Sequence, residues 1–176
     1  GMGGFGKTTL VKKAYDDAQI IRHFQHRVRV TVSETFKIDE FDKDAIEQLV
    51  KQTNQQLPRD FETMGPTPLK DFVISILSKQ RYIIVLDDVW IFDVWYTIKY
   101  AFPRQKFGSR IVITTRNSEI GRDGSHETQG DDELKLLSEK DSWELFCKKT
   151  FLSDSCPPHL VNCEDIVYNC GGLPLA

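Results

Sequence analysis

The first eight residues of the chain combine glycines, a lysine and a threonine at a spacing that suits phosphate binding. The segment 1–8, GMGGFGKT, follows the P-loop pattern G-x-x-x-x-G-K-[ST]. In this pattern the backbone N–H groups of a glycine-rich loop surround a phosphate, and the next helix directs its positive N-terminal end at the same anion. We expect Lys7 to contact the β- and γ-phosphates and the Thr8 hydroxyl to bind Mg²⁺. The segment therefore predicts a site for the phosphates of a nucleotide.

Two acids follow an unbroken apolar run in the middle of the chain. Asp87 and Asp88 come directly after residues 82–86, YIIVL. Ligands of open α/β sheets bind at the carboxyl ends of the strands, so both carboxylates are expected to face the nucleotide. Asp87 suits Mg²⁺, directly or through water, and Asp88 suits the orientation or activation of an attacking water. The alternative is a pair of surface acids at the start of a loop.

Arg116 stands at the end of the next apolar strand, 111–115. By the same geometry we expect its guanidinium to lie near the terminal phosphate, where a cation stabilises phosphate charge. The alternative is a solvated arginine at the end of a strand. Gly171 to Ala176, GGLPLA, by itself predicts only the end of a helix followed by an apolar turn.

Segments of helical periodicity alternate along the chain with segments of strand periodicity. Apolar spacing predicts helices around 10–18, 45–50 and 67–77, and apolar or alternating runs predict strands at 27–32, 82–86 and 111–114. An unbroken β-branched run is typical of a strand covered on both faces, as in a parallel sheet. Strands separated by helices predict βαβ units, an α/β fold and a doubly wound sheet.

The last part of the chain is predicted to be helical only. Ser138 and Asp141 have the spacing of a capping box, and a further helix is predicted around 160–170. We therefore expect a P-loop domain at 1–136, lacking its first strand, and the beginning of a helical subdomain at 137–176. Because the first residue is Gly1 rather than Met, we also expect the chain to be an internal piece of a longer protein.

Composition excludes several classes of function. The 176 residues are 40% hydrophobic and 28% charged, as in an ordinary globular domain. The net charge of −3 gives no basic excess, so no nucleic-acid partner is expected. No apolar run approaches the ~20 residues that a membrane-spanning helix needs, so no membrane span is expected.

The cysteines predict buried free thiols and a reducing compartment. None of them forms a C-x-x-C pair: Cys147, Cys156, Cys163 and Cys170. Zinc binding by Cys156, His159 and Cys163 is the alternative, but the spacing is loose and two prolines intervene.

The ordered set of motifs resembles the NB-ARC module of plant intracellular immune receptors with leucine-rich repeats. The segments that carry the resemblance cover essentially the whole chain: GMGGFGKTT, VTVSETF, RYIIVLDDVW, GSRIVITTR, LSEKDSWELF and CGGLPLA. Trp90, in LDDVW, resembles the branch with an N-terminal coiled coil rather than a Toll-like domain. The resemblance implies a P-loop NTPase three-layer sandwich with a parallel sheet, followed by the start of a small helical ARC subdomain.

The same resemblance implies a role for each matching residue. Thr8 and Asp87 would serve Mg²⁺, Asp88 would be the hydrolytic acid or base, Arg116 would sense the γ-phosphate, and Pro174 would pack near the adenine. The catalytic set would be Lys7, Asp88 and Arg116. The remaining nucleotide-binding residues would hold the phosphates: Gly1, Gly3, Gly4, Gly6, Lys7, Thr8 and Thr9.

The resemblance implies a cytoplasmic molecular switch in plant defence. Such a module holds ADP at rest, and exchange for ATP opens it, drives homo-oligomerisation and is followed by slow hydrolysis. Its partners would be the coiled-coil, winged-helix and leucine-rich-repeat domains of the same receptor. Two alternatives remain: a non-hydrolysing or decayed scaffold copy, and a small-molecule P-loop kinase. A kinase usually has an arginine-rich lid, whereas 117–132 contains only Arg122.

Two residues depart from the pattern of this branch. Arg29 stands where Trp is common, and Glu34 where Gln is common. We expect Arg29 to extend its charged end to solvent or to weaken the local packing. Neither residue is expected to touch the phosphates.

Overall fold

The structure, a computed structural model, consists of two compact units. One comprises residues 8–131, and the other residues 1–7 together with 132–176. The predicted domains 1–136 and 137–176 stay a prediction. The residues that the structure describes are 3–32, 36–53, 55–103, 108–125, 134–157 and 163–175.

A parallel sheet forms the centre of the unit 8–131. Its strands are β1 (His26–Thr31), β2 (Tyr82–Asp87) and β3 (Arg110–Ile113), in the order β1-β2-β3. Both pairings are parallel, with Val28 opposite Ile84 and Ile84 opposite Ile111. The prediction of an α/β fold with a parallel sheet is confirmed, and the strand limits differ from the predicted ones by about one residue.

Helices precede, connect and follow the strands. They are α1 (Lys7–Tyr15), α2 (Ala18–His23), α3 (Ile38–Thr53), α4 (Pro66–Leu77), α5 (Phe92–Lys99) and α6 (Ser118–Ser125), with a short 3₁₀ segment at Phe61–Thr63. The prediction of one helix across 10–18 is wrong. The side chain of Asp17 accepts a hydrogen bond from the Gln19 N–H and begins α2 as its N-cap, which separates the two helices.

Apolar side chains cover both faces of the sheet. On one face the strands contribute Val28, Val30, Ile84 and Leu86, and helices α3 to α6 pack against them. On the other face Ile83 and Val85 pack with Phe24 and the partly buried Val11 and Tyr15. Every residue of β2 is buried, so the strand cannot shift easily. The carboxyl end of β2, where Asp87 lies, is therefore a fixed position.

The second unit is helical in its described part. Helices α7 (Glu139–Thr150) and α8 (Cys163–Asn169) contact each other, and no strand follows β3 within the described residues. The Ser138 hydroxyl accepts a hydrogen bond from the Asp141 N–H, which confirms the predicted start of α7. Gly171 and Gly172 follow α8 with positive φ, as predicted for the end of a helix.

The cysteines of this unit are free thiols: Cys147 is buried, and Cys156, Cys163 and Cys170 are half-buried. His159, the third residue of the alternative zinc site, lies outside the described residues. Across the described ranges, no three His, Cys, Asp or Glu side chains are grouped so that they could hold a metal ion. None of the helices in those ranges has the length and apolar character needed to cross a membrane.

Candidate functional site

Asp87 is the centre of a hydrogen-bonded cluster at the carboxyl end of β2. Its side chain is 3% exposed. Oδ1 accepts hydrogen bonds from the hydroxyl groups of Thr8, at 2.8 Å, and Thr114, at 2.6 Å. Oδ2 accepts one from Nη2 of Arg29, at 2.9 Å. The buried carboxylate is thus held in one orientation by donors from α1, from β1 and from the residue that follows β3.

The same contacts keep the Asp87 carboxyl ionised. Burial alone raises the pKa of Asp87, because a charged group loses hydration. The hydrogen bonds from Thr114, Arg29 and Thr8, together with the positive charge of Arg29, outweigh that effect and hold the pKa below its ordinary value. The Asp87 carboxyl itself is therefore negatively charged at neutral pH, with Arg29 as its counter-ion.

Asp88 lies in a tight turn after β2 and pairs with Arg116. Its backbone has φ +60°, a left-handed conformation that Asp adopts more readily than most residues. The Asp88 N–H donates to the Thr114 hydroxyl at 2.8 Å, which fixes the turn against the end of β3. Nη2 of Arg116 donates to Oδ2 of Asp88 at 3.1 Å. The Arg116 side chain is exposed and the Asp88 side chain is half-exposed, so a ligand can reach both.

Arg29 occupies a place that the sequence did not predict. The expectation that its charged end extends to solvent is wrong: the side chain is only 25% exposed and its guanidinium bonds Asp87. Arg29 pairs with Val85 in the register of β1 and β2, and alternation places it on the same sheet face as Asp87. Gln48 bonds both the N–H and the C=O of Arg29. Glu34, the other departure, lies outside the described residues.

The described part of the glycine-rich loop, residues 3–7, belongs to the other unit. Gly4 and Gly6 have φ values of +85° and +79°, which other residues adopt only with strain. A Cβ on Gly4 would lie 3.6 Å from Leu173, and one on Gly6 would lie 3.8 Å from Pro174. The loop is therefore closely packed against the segment that follows α8.

The structure places the remaining predicted residues as follows. Lys7 is the first residue of α1, and its Nζ lies 5.7 Å from the centre of the Phe5 ring. Gly3 is exposed in the loop, and Thr9 is exposed in α1. Gly1 lies outside the described residues. Three pairs of predicted residues come together: Thr8 with Asp87, Asp88 with Arg116, and Gly6 with Pro174.

Two residues of the cluster were missed by sequence reasoning, Arg29 and Thr114. Thr114 carried a usable signal, because it directly follows β3 and parallel strands end at the same edge of a sheet. Arg29 carried none until the pairing of β1 with β2 was known. A separate cleft of about 330 Å³, lined by Gln25, Lys79, Gln80 and Arg81, lies at the opposite ends of these strands and does not coincide with the cluster.

The Thr8 and Asp87 side chains fit a magnesium ion by donor type. A hydroxyl and a carboxylate are the hard oxygen ligands that Mg²⁺ takes, usually one or two from the protein with the rest from phosphate and water. Thr8 gives its proton to Asp87, which leaves its oxygen lone pairs available to a cation. Thr8 and Asp87 thus present oxygen donors of the type that a divalent cation takes, and the half-exposed Asp88 and the exposed Arg116 follow β2 and β3 at the same edge of the sheet.

Comparison with known proteins identifies this set of motifs. The chain matches the family described as NB-ARC domain over residues 1–156. It is 34% identical over 180 residues to disease resistance protein RPM1 of Arabidopsis thaliana, and the aligned region covers 100% of this chain and 19% of that protein. It is 39% identical over 186 residues to ToMV resistance protein Tm-2(2) of Solanum lycopersicum, covering 100% of this chain and 20% of that protein.

A third relative is disease resistance protein RPP13 of Arabidopsis thaliana, 30% identical over 179 residues, with 99% of this chain and 21% of that protein covered. The chain thus spans about a fifth of the length of each of these three relatives.

Proposed function

Because the chain belongs to the NB-ARC family, a group of P-loop NTPase domains, we propose that it is the ADP- and ATP-binding switch of a plant disease-resistance receptor. The observation that carries the proposal is the hydrogen bond from Thr8 to Asp87, which joins the end of the P-loop motif to the acid after β2. In a P-loop site these two side chains flank the cation that accompanies the nucleotide phosphates.

The phosphates would be held by the loop and the start of α1. Gly4 and Gly6 have the positive φ values that turn backbone N–H groups towards an anion. Lys7 would contribute a point charge to the β- and γ-phosphates, and Gly1, Gly3 and Thr9 would complete the loop. Pro174, which packs beside the Cβ position of Gly6, is proposed to contact the adenine.

Magnesium would be held by Thr8 and Asp87. When bound it would neutralise phosphate charge and orient the phosphate oxygens. Neighbouring residues orient these two ligands. Thr114 and Arg29 fix the Asp87 carboxylate, and the Asp87 carboxylate fixes the Thr8 hydroxyl.

Slow ATP hydrolysis is proposed for Asp88 and Arg116. Asp88 would accept a proton from, or orient, the attacking water, and Arg116 would stabilise charge on the γ-phosphate. In the structure Arg116 instead bonds Asp88 at 3.1 Å. The Asp88–Arg116 pair must separate before either side chain can act, which favours a low rate of hydrolysis. For the same reason, a module that binds nucleotide without hydrolysing it is the second candidate function.

The wider role is proposed from the relatives, which are named as resistance proteins. The receptor would be cytoplasmic, with coiled-coil, winged-helix and leucine-rich-repeat domains outside this chain. ADP would keep it at rest, and ATP would permit opening, homo-oligomerisation and defence signalling.

The test is the nucleotide content of the receptor that contains this chain. After purification and acid extraction, chromatography should find about one ADP per molecule, and Lys7→Arg should remove it. Lys13→Arg in α1 is the matched control and should retain ADP. Nucleotide that stays undiminished in the Lys7 variant would contradict the role of Lys7, and a receptor without nucleotide would contradict the resting state.

A further inference from the structure

The Asp87 carboxylate already has a positive charge beside it. Arg29 donates from Nη2 to Oδ2 at 2.9 Å, and the two hydroxyl donors occupy Oδ1. Charge-assisted hydrogen bonds of this kind are about twice as strong as neutral ones. Both oxygens of the carboxylate are therefore engaged before any cation arrives.

The position of Arg29 is fixed rather than accidental. The Gln48 side chain bonds its N–H at 2.9 Å and its C=O at 3.0 Å, so the backbone of β1 is held on both sides. Its Nε is buried, and no acceptor for it lies within hydrogen-bond distance in the part of the chain that the structure describes. Burying an unpaired donor costs free energy. The hydrogen bond from Nη2 to Asp87 offsets this cost and holds the guanidinium in place.

A divalent cation between Thr8 and Asp87 would meet this guanidinium as a like charge. Two effects then oppose its binding. The Asp87 charge is shared with Arg29, and the two positive charges repel each other across a partly buried site where screening by water is weak. In the proposed function the Thr8 hydroxyl lies beside the phosphates, so Arg29, which shares the Asp87 carboxylate with Thr8, would supply positive charge near them.

We propose that Arg29 makes the nucleotide site largely independent of Mg²⁺. The guanidinium takes over part of the cation's charge-neutralising role, lowers the affinity of the site for divalent cations, and keeps the diphosphate bound when Mg²⁺ is absent. This inference rests on the proposed nucleotide binding. Arg29 acts as a positioning residue through Asp87.

The test compares ADP binding with and without Mg²⁺ for the full chain and its variants. Fluorescent ADP is titrated in excess EDTA and in millimolar Mg²⁺. The readout is the Kd in EDTA divided by the Kd in Mg²⁺, so a high ratio means that binding depends on the cation. We expect a ratio below about 3 for the unmodified chain and above about 10 for Arg29→Gln. Circular dichroism checks folding, and Arg29→Met, which keeps the apolar stem, replaces a Gln variant that does not fold.

Arg27→Gln is the matched control. Arg27 lies two residues earlier on the same face of β1, but its guanidinium bonds the Tyr15 carbonyl and stacks on the Tyr15 ring instead of contacting Asp87. It should keep the ratio of the unmodified chain. An equal rise in Arg27→Gln and Arg29→Gln, or a ratio above about 10 in the unmodified chain, would overturn the proposal.

A second readout separates this inference from the proposed function. Mn²⁺ binding without nucleotide is followed by electron paramagnetic resonance, and Arg29→Gln should bind Mn²⁺ about tenfold more tightly than the unmodified chain. If no ADP binds in either buffer, the proposed function fails while this comparison still decides the role of Arg29. Equal Mn²⁺ affinities would overturn that role.

Discussion

The hydroxyl of Thr8 donates a 2.8 Å hydrogen bond to Oδ1 of Asp87, although the two residues are 79 positions apart in the chain. Asp87 ends a strand buried at every position, and Thr8 lies in the first turn of α1. The contact joins the two motifs from which a nucleotide site was predicted.

Thr114→Val should destabilise the unit 8–131. The Thr114 hydroxyl is buried, donates to Asp87 at 2.6 Å and accepts from the Asp88 N–H at 2.8 Å. Without this hydroxyl, the Asp87 carboxylate and the Asp88 N–H each lose one hydrogen bond, which lowers the free energy of unfolding by about 1–3 kcal/mol. Urea denaturation measures the free energy of unfolding. Thr97→Val, at an exposed position in α5, is the control and should change it by less than about 0.5 kcal/mol; equal effects would contradict the structural role of Thr114.

Asp88→Asn should separate hydrolysis from binding. Asp88 is half-exposed and bonds Arg116, and in the proposed function it orients the attacking water or accepts its proton. Phosphate release should fall by about a hundredfold, as is typical when a general base is lost. The ADP affinity should change by less than about threefold, a small free-energy difference. Asp93→Asn, on the exposed surface of α5, should leave both quantities unchanged. Hydrolysis that is absent from the unmodified chain would favour the non-hydrolysing candidate.

Asp42→Asn should stabilise the chain at neutral pH. Asp42 is a buried residue of α3, and burial raises its pKa to about 6 from 3.8, with Lys70 opposing the shift and Asp39 adding to it. The folded state therefore holds a proton that the unfolded state releases between about pH 4 and pH 6. Stability falls as the pH rises through that window, by an amount on the order of 3 kcal/mol.

The measurement for Asp42 is urea denaturation at several pH values from 4 to 7. The Asn variant should lack the fall in unfolding free energy across the window. Glu47→Gln, an exposed change on the same helix, should retain it. A pH profile that is the same with and without the Asp42 carboxyl would rule out this group as its source.

Gly172→Ala should be more damaging than Gly171→Ala. Both glycines have positive φ, +58° for Gly171 and +78° for Gly172, so alanine is strained by roughly 1–2 kcal/mol at either position. At Gly172 the new Cβ would also lie 2.6 Å from the Leu137 carbonyl oxygen, whereas at Gly171 it would meet nothing within 4 Å. The difference in thermal denaturation between the two variants measures the steric clash. Equal losses would show that Leu137 moves aside freely.

The sequence was sufficient for those parts of the fold that are set by burial. β2 was predictable because its apolar run is covered on both faces, and the start of α7 was predictable because Ser138 and Asp141 make a local cap. The break between α1 and α2 had a visible signal in Asp17, but the apolar face that continues to Ala18 outweighed it. Local signals therefore located the three strands to within about one residue. Helix α3, however, is longer than the predicted 45–50, and α5 was not predicted.

The site divides in the same way. Thr8 and Asp87 were predictable because each stands at a fixed place in a motif. The contact of Arg29 with Asp87 was not predictable. It depends on the register of β1 against β2, and residues 32–81 separate these two strands in the chain. Alternation along β1 gives the face on which Arg29 lies, but only the pairing with β2 says which carboxylate lies there.

The most direct test of nucleotide binding is an equilibrium titration of the chain with fluorescent ADP, comparing Lys7→Ala with Lys13→Ala. Both variants remove a lysine from α1, but only Lys7 belongs to the P-loop motif. We predict saturable binding of one ADP, a loss of about a hundredfold, or ~2.7 kcal/mol, in Lys7→Ala, and no change in Lys13→Ala. The absence of saturable binding, or an equal effect of both substitutions, would contradict the account.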